Sequence, residues 1–377
     1  MFYKNARIFC GDFTFRHGAF EVVDGKFGHI LPDDIPADAV DLQGATVIPG
    51  LIDVHSHGNS GADFSDGDYE GLKAMAAYYA RVGVTSFAPA SMTLPYDVLE
   101  KAYANARKLV DESPAGLSVL RGIQMEGPYF SFKKRGAQNP DYLKAPDFEG
   151  FKALQEGCGS LIRIVDVAPE LPGAEEFIRQ AKDVCTVSVA HTDADYDTAM
   201  ASTNVGIRHA THLFNAMSPL AHRGAGVVGA ALNSDVTAEL IVDTFHVNPA
   251  LYKMVYKMKG DKLCFITDCL PAGGLPEGEY TLGGQKFISK GIECRLPDGT
   301  IAGSVLKLNK GVWNVYTNTD IPLYECVNCA SLNPAKAIHI DDKKGSLEIG
   351  KDADIIITDN EFNVEKTIIG GTVRYGA

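Results

Sequence analysis

The sequence contains no run of about 18 consecutive apolar residues, so it predicts no membrane-spanning helix. The segment Met1–Cys10 has neither a long apolar stretch nor a small-residue cleavage site, which argues against a signal peptide. Solenoid repeats and low-complexity segments are also absent, which excludes a repeat array. We therefore expect a cytoplasmic, globular protein with no membrane partner.

Basic residues are comparatively few. Lys and Arg total 35 against 48 Asp and Glu, which gives a net charge of −13. A chain with this balance is poorly suited to bind nucleic acid or an anionic membrane as its main partner. An anionic small molecule remains compatible, provided that its pocket is locally basic.

Cysteine does not form a disulfide framework, because the eight cysteines are scattered along the chain. In a cytosolic chain of this size we expect them to be free and mostly buried. Cys326 and Cys329 form a single Cys-x-x-Cys pair inside a helix-like stretch. Since no second pair accompanies them, we interpret them as structural rather than as a zinc or redox site.

The sequence does have the composition of an ordinary globular protein, with 45% hydrophobic and 22% charged residues. Its 377 residues suffice for one or two domains. Short strand-like runs occupy both ends of the chain, and Asp24-Gly25 is a hairpin turn signal between two of them. We predict that residues 1–48 and 345–377 pair into one small β-sandwich domain.

Between the two ends, apolar strand-like runs alternate with helix-like intervals such as Asp68–Arg81, Tyr96–Val110 and Gly173–Lys182. Eight such units predict an α/β fold, a closed (β/α)8 TIM-type barrel over residues 49–344. In these barrels the chemistry lies at the C-terminal ends of the strands. The eight strand-like runs are Val47–Val54, Thr85–Ala90, Val119–Met125, Ile162–Ala168, Thr186–Ala190, Ile207–Leu213, Ala238–Val242 and Leu263–Thr267.

Residues of about 273–302 interrupt this alternation. A Gly283-Gly284 turn between two short strand-like runs predicts a β-hairpin inserted after the last barrel strand. Two helical stretches, roughly 304–318 and 322–338, are then expected to return the chain to the terminal domain.

The motif His55-Ser56-His57 ends the first barrel strand. Because side chains on a strand alternate between faces, His55 and His57 should point to the same side. Imidazole nitrogen is a good ligand for zinc and other divalent transition metals, so the pair is suited to bind one cation. The motif alone leaves open the alternative of two hydrogen-bonded histidines at a strand end.

Polar residues also end four other predicted strands, namely Glu126, His191, His212 and Asp268. Any one of them has an ordinary explanation, such as a helix cap or an ion pair. Six nitrogen or oxygen ligands on five strands, all at the same end of one barrel, predict a metal site. His209 lies three residues before His212 and should face the other way, so we interpret it as structural.

This pattern resembles the amidohydrolase superfamily, which has His-x-His on the first strand, histidines on the fifth and sixth, and aspartate on the eighth. Many members carry a carboxylated lysine on the fourth strand, but Leu161–Pro169 contains no lysine. Glu126 on the third strand is the natural substitute. A closer resemblance, over nearly the whole chain, is to the branch that deacetylates amino-sugar phosphates. The segments that carry it are Met125–Tyr129, Lys134–Pro140, Val167–Glu170, Ala190–Thr192, Thr211–Met217 and Ala302–Ser304.

The resemblance implies a metal-dependent hydrolase of amino-sugar catabolism that converts N-acetylglucosamine 6-phosphate and water to glucosamine 6-phosphate and acetate. It implies one or two divalent cations per subunit, zinc in the first place and iron, manganese or cobalt as alternatives. It also implies a homodimer in which Arg223 reaches the phosphate bound by the neighbouring subunit. By position, the resemblance makes Glu126, His191 and His212 ligands of the main metal, and His55 and His57 ligands of a second metal. It makes Asp268 the general base. The substrate-binding residues that it implies are Gln138, Asn215, Ala216, Arg223 and His246.

The sequence departs from the family pattern at three places. Gln138 stands where some relatives have a histidine that polarises the amide carbonyl, and it can donate a hydrogen bond but carries no charge. The run Asp243–His246 lacks the Asp-Gly that is common in relatives, and Thr192-Asp193 replaces their Ser-Asn. These departures leave the sugar selectivity open.

Three other functions remain alternatives. The nearest is the same reaction on another N-acetylhexosamine 6-phosphate, such as N-acetylgalactosamine 6-phosphate. A deaminase or cyclic amidase of the same superfamily is disfavoured by the missing fourth-strand lysine and by the Glu-Gly-Pro segment. A non-catalytic barrel that serves as a binding or assembly protein is disfavoured because all the expected ligands are present.

Overall fold

The computed structural model of the chain describes residues 1–31 and 35–376, in which short strands alternate with helices. The order of these elements follows the alternation that the sequence predicts, except that the predicted first barrel strand, Val47–Val54, is divided into Thr46–Pro49, which joins the sheet of the chain ends, and Leu51–Asp53. The strands are β1 (Phe2–Phe9), β2 (Phe15–Val23), β3 (Lys26–Leu31), β4 (Val40–Asp41), β5 (Thr46–Pro49), β6 (Leu51–Asp53), β7 (Gly58–Asn59), β8 (Ala62–Asp63), β9 (Val84–Phe87), β10 (Ala90–Ser91), β11 (Val119–Leu120), β12 (Ile123–Met125), β13 (Ile162–Val167), β14 (Thr186–Val189), β15 (Ile207–Ala210), β16 (Thr237–Ile241), β17 (Leu263–Ile266), β18 (Gly278–Leu282), β19 (Gln285–Lys290), β20 (Glu293–Arg295), β21 (Ile301–Gly303), β22 (Ile355–Thr358), β23 (Val364–Ile369) and β24 (Thr372–Tyr375).

Aspartate side chains begin several of the helices. Asp68 accepts a hydrogen bond from the amide of Glu70, and Asp195 from the amide of Thr198, which satisfies amides that a first turn leaves free. Within residues 1–31 and 35–376, no helix has the length and apolar content that crossing a bilayer requires. The α-helices are α1 (Tyr69–Arg81), α2 (Tyr96–Glu112), α3 (Phe148–Gly157), α4 (Ala174–Ala181), α5 (Tyr196–Val205), α6 (Gly226–Asn233), α7 (Tyr252–Lys259), α8 (Leu308–Asn318), α9 (Leu323–Cys329) and α10 (Leu332–Ala337).

The predicted helical stretch 322–338 is divided into α9 and α10. Pro334 lies in the first turn of α10, where its missing N–H is tolerated. In one continuous helix its ring would clash with the carbonyl of Ala330, four residues earlier. The chain therefore leaves the helix after Cys329 and resumes it at Leu332. The three helix-like intervals between the barrel strands correspond to α1, α2 and α4.

A closed parallel barrel forms the centre of the molecule. Its strands pair in the order β10-β12-β13-β14-β15-β16-β17 and β11-β9-β6. No helix separates β9 from β10 or β11 from β12, so each of these two pairs occupies a single position. The ten strands therefore fill eight positions around the barrel. The amide of Asp268 donates to the carbonyl of His55 at 2.9 Å, which links the last strand to the first. The predicted (β/α)8 fold is confirmed.

The main apolar core lies between the barrel strands and the helices, where Phe151 and Phe177 are fully buried. A second cluster fills the barrel interior, with Ile52 and Ile164 on the strands and Ile338 just after α10. The imidazoles and carboxylates of the predicted site lie beyond the C-terminal ends of the same strands. The barrel therefore separates an apolar interior from a polar mouth.

Strands from both ends of the chain form one mixed sheet in the order β24-β23-β22-β5-β1-β2-β3, with β4 beside β1. β5 pairs in parallel with β1 and antiparallel with β22, so it joins the N-terminal strands to the C-terminal ones. Phe20, Phe27 and Ile355 belong to one apolar cluster of this small β domain. The domain limits, 1–48 and 345–377, remain a prediction.

The insertion after the last barrel strand is larger than the predicted hairpin. β18 and β19 form that hairpin around Gly283 and Gly284, whose φ values of 53° and 78° suit a tight turn. β20 and β21 extend it to a four-stranded antiparallel sheet that the sequence did not predict. Phe287 of this sheet belongs to an apolar cluster with Met92 and Leu270, which fixes the insertion beside the barrel mouth.

Candidate metal centre and active site

Three side chains from different strands converge at the C-terminal end of the barrel. Glu126 follows β12, His191 follows β14 and His212 follows β15. The Nε2 atoms of both histidines lie 3.0 Å from Oε1 of Glu126 and 3.1 Å from each other. All three side chains are buried. The structure thus brings together the residues that the family resemblance assigns to the main metal.

The His-x-His motif meets the same carboxylate. Nε2 of His57 lies 3.1 Å from Oε2 of Glu126, and Nε2 of His55 lies 3.8 Å from its Oε1. The two rings lie on the same side of the chain, as the strand alternation predicts, with centroids 5.5 Å apart. Glu126 therefore lies between two pairs of imidazoles and belongs to both groups of residues that could hold a metal ion.

In three of these imidazole rings, a hydrogen-bond acceptor lies beside Nδ1, the ring nitrogen that points away from Glu126. Each acceptor lies within hydrogen-bond distance of Nδ1, so Nδ1 carries the proton of a neutral ring and Nε2 presents a bare lone pair. The pairs are His55 with the Glu239 carboxylate at 2.9 Å, His57 with the Ala90 carbonyl at 3.2 Å and His191 with the Lys134 carbonyl at 2.9 Å.

Lone pairs and carboxylate oxygens that face one another repel unless positive charge lies between them. Nε2 of His55 and Oδ1 of Asp268 are buried and have no hydrogen-bond partner among the described residues. Such atoms are costly to bury, and a divalent cation with nitrogen and oxygen ligands would satisfy them. The donor set therefore fits a divalent metal, with one group of ligands in Glu126, His191 and His212 and another in His55, His57 and Glu126.

The electrostatics of these residues favour positive charge at the same place. Burial lowers the pKa of His55, but the carboxylates of Glu239, Glu126 and Asp268 together outweigh this effect and raise that pKa to about 10. Burial likewise acts to raise the pKa of Glu126, yet the imidazoles of His57 and His191 hold it well below its usual range. The site thus stabilises a cation next to an ionised Glu126.

Three site residues have a backbone conformation that is rare outside glycine. The φ values of His191, His212 and Asp268 are 45°, 33° and 49°. Each residue ends the extended run of a barrel strand, and the turn brings its side chain to the common centre. Such residues cost about 1–3 kcal/mol each and cluster at functional sites, where the surrounding structure holds them.

Asp268 lies beside the second pair of histidines. Its Oδ1 is 3.4 Å from Nε2 of His57 and 3.7 Å from Nε2 of His55. Burial acts to raise the pKa of Asp268, but these two imidazoles outweigh it and lower the pKa. The carboxylate is therefore ionised at neutral pH and free to accept a proton.

A cavity of about 350 Å³ opens over these side chains, and Thr300–Gly303 of the insertion form part of its wall. His246 is held by Asp243, whose Oδ2 lies 2.7 Å from its Nδ1. This carboxylate outweighs burial and raises the pKa of His246. Four of the five predicted substrate-binding residues line the cavity, namely Gln138, Asn215, Ala216 and His246.

Arg223 is the fifth predicted substrate-binding residue, and it does not line the cavity of its own chain. It is exposed, in the turn between β15 and α6. This place is compatible with a role in the site of a second subunit, which stays a prediction.

The carboxamide of Gln138 is already engaged within the protein. Its Nε2 donates to Oε2 of Glu126 at 2.9 Å, and its Oε1 accepts from the amide of Thr93 at 2.7 Å. One N–H of Gln138 remains for the substrate carbonyl that the resemblance assigns to it. In this structure Gln138 first of all orients the carboxylate that lies between the histidines.

Sequence reasoning did not identify Glu239, which lies in the buried strand β16. Its carboxylate accepts from Nδ1 of His55, faces Nε2 of His209 at 2.9 Å and accepts from the amide of His212 at 3.1 Å. His209 therefore supports the site from behind and is not a ligand, in agreement with its structural interpretation. The available signal was an acidic residue within the otherwise apolar run Ala238–Ile241.

The sequence profile of the amidohydrolase family matches residues 46–374. A Bacillus subtilis (strain 168) protein named N-acetylglucosamine-6-phosphate deacetylase is 37% identical over 99% of this chain and 96% of its own length. An Escherichia coli O157:H7 protein named N-acetylgalactosamine-6-phosphate deacetylase is 32% identical over 93% of each chain. Both matches span nearly the whole molecule.

Solved structures agree with this relationship. The N-acetylglucosamine-6-phosphate deacetylase of Pasteurella multocida superposes with a TM-score of 0.93, at 32% identity over 99% of each chain. A mutant of the Mycobacterium smegmatis deacetylase in complex with N-acetyl-D-glucosamine-6-phosphate also gives a TM-score of 0.93, at 28% identity over 99% of each chain. On its sequence, its fold and its metal centre, this chain belongs to the amidohydrolase family.

Proposed function

We propose that this chain is a metal-dependent deacetylase that hydrolyses the acetamido group of N-acetylglucosamine 6-phosphate to give glucosamine 6-phosphate and acetate. One observation carries the proposal: the ligands Glu126, His191 and His212 face the same cavity as Oδ1 of Asp268, which lacks a hydrogen-bond partner among the described residues. The names of the Bacillus and Pasteurella relatives, and the ligand bound to the Mycobacterium one, support this substrate.

The ligand set suits zinc, and also iron, manganese or cobalt, in one or two positions. A bound divalent cation supplies Lewis acidity, which lowers the pKa of water to about 7 and polarises a carbonyl group. The protein contributes the fixed geometry of the ligands: Gln138 holds Glu126, and Glu239 holds His55. These outer hydrogen bonds keep each donor atom aimed at the centre.

We assign Asp268 as the general base. Its carboxylate is ionised at neutral pH and its Oδ1 has no hydrogen-bond partner among the described residues, so this oxygen can take a proton from the attacking water. The same carboxyl group then gives this proton to the amine nitrogen as the C–N bond breaks, since a departing amine must be protonated. Asp268 thereby returns to its starting charge with each turnover.

The wall of the cavity would bind the rest of the substrate. Asn215 and Ala216 lie in the turn after β15, and His246 presents its Nε2 because Asp243 occupies its Nδ1. Arg223 of a second subunit would bind the phosphate, so the active form is a homodimer. We also propose that the reaction takes place in the cytoplasm, where a sugar phosphate would be retained because its charge does not cross a bilayer.

N-acetylgalactosamine 6-phosphate is the second candidate substrate. The Escherichia coli relative bears that name. Phe245 precedes His246 and packs against it, with ring centroids 5.6 Å apart, so its bulk helps to fix the His246 ring in the cavity wall. The two sugars differ only in the configuration of one hydroxyl group, which this wall would discriminate.

The experiment measures acetate release from a panel of N-acetylhexosamine 6-phosphates, with metal content determined on the same sample. We expect kcat/KM for the glucosamine derivative to exceed that for the galactosamine derivative by about tenfold. The reverse order would establish the second candidate. Acetate release from none of these compounds by the metal-loaded protein would refute both.

A further inference from the structure

Two neighbouring lysines, Lys133 and Lys134, line the wall of the active-site cavity and differ in their contacts. Nζ of Lys133 lies 2.9 Å from Oδ2 of Asp193, and its side chain is 78% exposed. Lys134 is less exposed, and no carboxylate of the described residues pairs with its ammonium group within 4.0 Å. Lys134 therefore brings an uncompensated positive charge to the cavity.

The rest of the cavity wall offers a dianion little permanent positive charge. Among the described lining residues, the two lysines carry such a charge and His246 has a raised pKa because Asp243 lies beside it, whereas Glu126 and Asp268 are acidic. Arg223 lies outside the wall of its own chain. Because the protein as a whole has a net charge of −13, a bound phosphate needs a cation close by.

The backbone fixes the place of Lys134. Its carbonyl accepts a hydrogen bond from Nδ1 of His191 at 2.9 Å, and its amide donates to the carbonyl of Ser131 at 3.0 Å. A Cβ atom on Gly136 would lie 3.3 Å from the His191 ring and 3.9 Å from Cβ of Ala216. The segment therefore runs between the metal centre and the turn assigned to the sugar phosphate.

We infer that Lys134 binds the 6-phosphate of the substrate from within the same subunit, in addition to the arginine that we propose a second subunit to contribute. This inference rests on the proposed function. Lys133 takes no part, because Asp193 already neutralises its charge. The phosphate is chemically unchanged through the reaction, so this contact strengthens substrate and transition state alike and acts on KM rather than on kcat.

The test compares Lys134→Met, Lys134→Arg and the matched control Lys133→Met, each loaded with metal. The substrates are N-acetylglucosamine 6-phosphate and N-acetylglucosamine without the phosphate. We expect Lys134→Met to raise KM for the phosphorylated substrate about tenfold or more with kcat little changed. Activity on the unphosphorylated sugar should be unaffected, Lys134→Arg should restore KM, and Lys133→Met should behave as wild type.

Two results would overturn the inference. One is an unchanged KM for the phosphorylated substrate in Lys134→Met. The other is an equal loss of kcat/KM on both sugars, which would indicate a disturbed metal centre. Metal content measured on the same samples would reveal such a disturbance.

Calorimetric binding of glucosamine 6-phosphate separates this inference from the proposed function. If the wild type deacetylates neither hexosamine derivative, the proposed function fails. Weaker binding by Lys134→Met than by Lys133→Met would still sustain the phosphate contact. Equal binding by both variants would refute it.

Discussion

Nδ1 of His55 lies 2.9 Å from Oε2 of Glu239, and both side chains are fully buried. The other oxygen of Glu239 lies 2.9 Å from Nε2 of His209. Burial acts to raise the pKa of Glu239, but the two imidazoles outweigh it and hold the pKa well below its usual range. Glu239 is therefore an ionised support that fixes the tautomer of His55 and leaves Nε2 free to bind a metal.

Substitution of Glu239 by Gln should weaken metal binding at the position of His55 and His57. The carboxamide of the variant would keep an acceptor but would lose the charge that favours a proton on Nδ1 of His55. Such outer hydrogen bonds typically contribute about 10–100-fold to metal affinity. Competition with a chelator, together with metal content per subunit, measures this loss.

The control for this experiment is Glu175→Gln, which removes an exposed carboxylate paired with Arg179 on α4. It should bind metal as the wild type does. Unchanged metal affinity in Glu239→Gln would contradict the supporting role assigned to Glu239.

Substitution of Asp268 by Asn should separate metal binding from turnover. Asn cannot accept the proton of the attacking water, so kcat should fall by about 10²–10⁴-fold, the usual contribution of general acid–base catalysis. Metal content should stay near that of the wild type, because the group formed by Glu126, His191 and His212 is intact. Asp342→Asn, at an exposed position, is the control. Near-native kcat in Asp268→Asn would rule out its role as the base.

Mixing two inactive variants tests whether Arg223 acts across a dimer. Arg223→Met and Asp268→Asn should each have little activity at low substrate concentration. In a mixed dimer, the Arg223→Met subunit keeps Asp268 and receives Arg223 from its neighbour, so one complete site forms. Co-refolded or co-expressed variants should regain about a quarter of wild-type activity for random pairing in a two-fold dimer. Absence of any recovery, with mixed dimers present, would mean that Arg223 does not act across the interface.

The pH dependence of stability should reflect Asp166, which is fully buried in β13. Burial, and next the nearby Glu126 carboxylate, raise its pKa from 3.8 to about 8. Between these two values the folded protein holds a proton that the unfolded chain has lost. The free energy of unfolding of the metal-free protein should therefore decrease as pH rises from about 4 to 8.

Asp166→Asn removes this titration. The fall in the urea midpoint between pH 5 and pH 8 should be smaller in Asp166→Asn than in the wild type. Asp342→Asn serves as the exposed control. An identical pH dependence in Asp166→Asn and wild type would show that Asp166 titrates as an ordinary carboxyl group.

Removal of the metal should destabilise the fold as well as abolish activity. Without a cation, Nε2 of His55 and Oδ1 of Asp268 are buried with no hydrogen-bond partner among the described residues. A ligand that binds only the folded state stabilises it by about 4 kcal/mol at a thousandfold excess over its Kd. Calorimetry before and after chelation should show a lower Tm in the metal-free protein, and metal addition should restore it. Equal Tm values would mean that these residues do not hold a metal in solution.

The predictions from sequence succeeded where local pattern and strand direction decide the outcome. His55 and His57 share a side because strand side chains alternate, and Glu126, His191, His212 and Asp268 meet because parallel strands end at one rim. Sequence patterns were less informative for very short elements. The insertion has two strands beyond its predicted hairpin, because β20 and β21 have three residues each and such short runs show too little alternation, although Asp298-Gly299 forms a turn signal between them.

The sequence by itself determined which residues are candidate metal ligands, because ligand chemistry and strand periodicity are properties of short segments. Only the tertiary structure decided what holds them. Glu239 reaches His55 across 184 positions of the chain, and Gln138 turns its amide toward Glu126 rather than wholly toward the cavity. Such hydrogen bonds arise only when the closed barrel brings distant strand ends within about 3 Å, a distance that no spacing along the chain encodes.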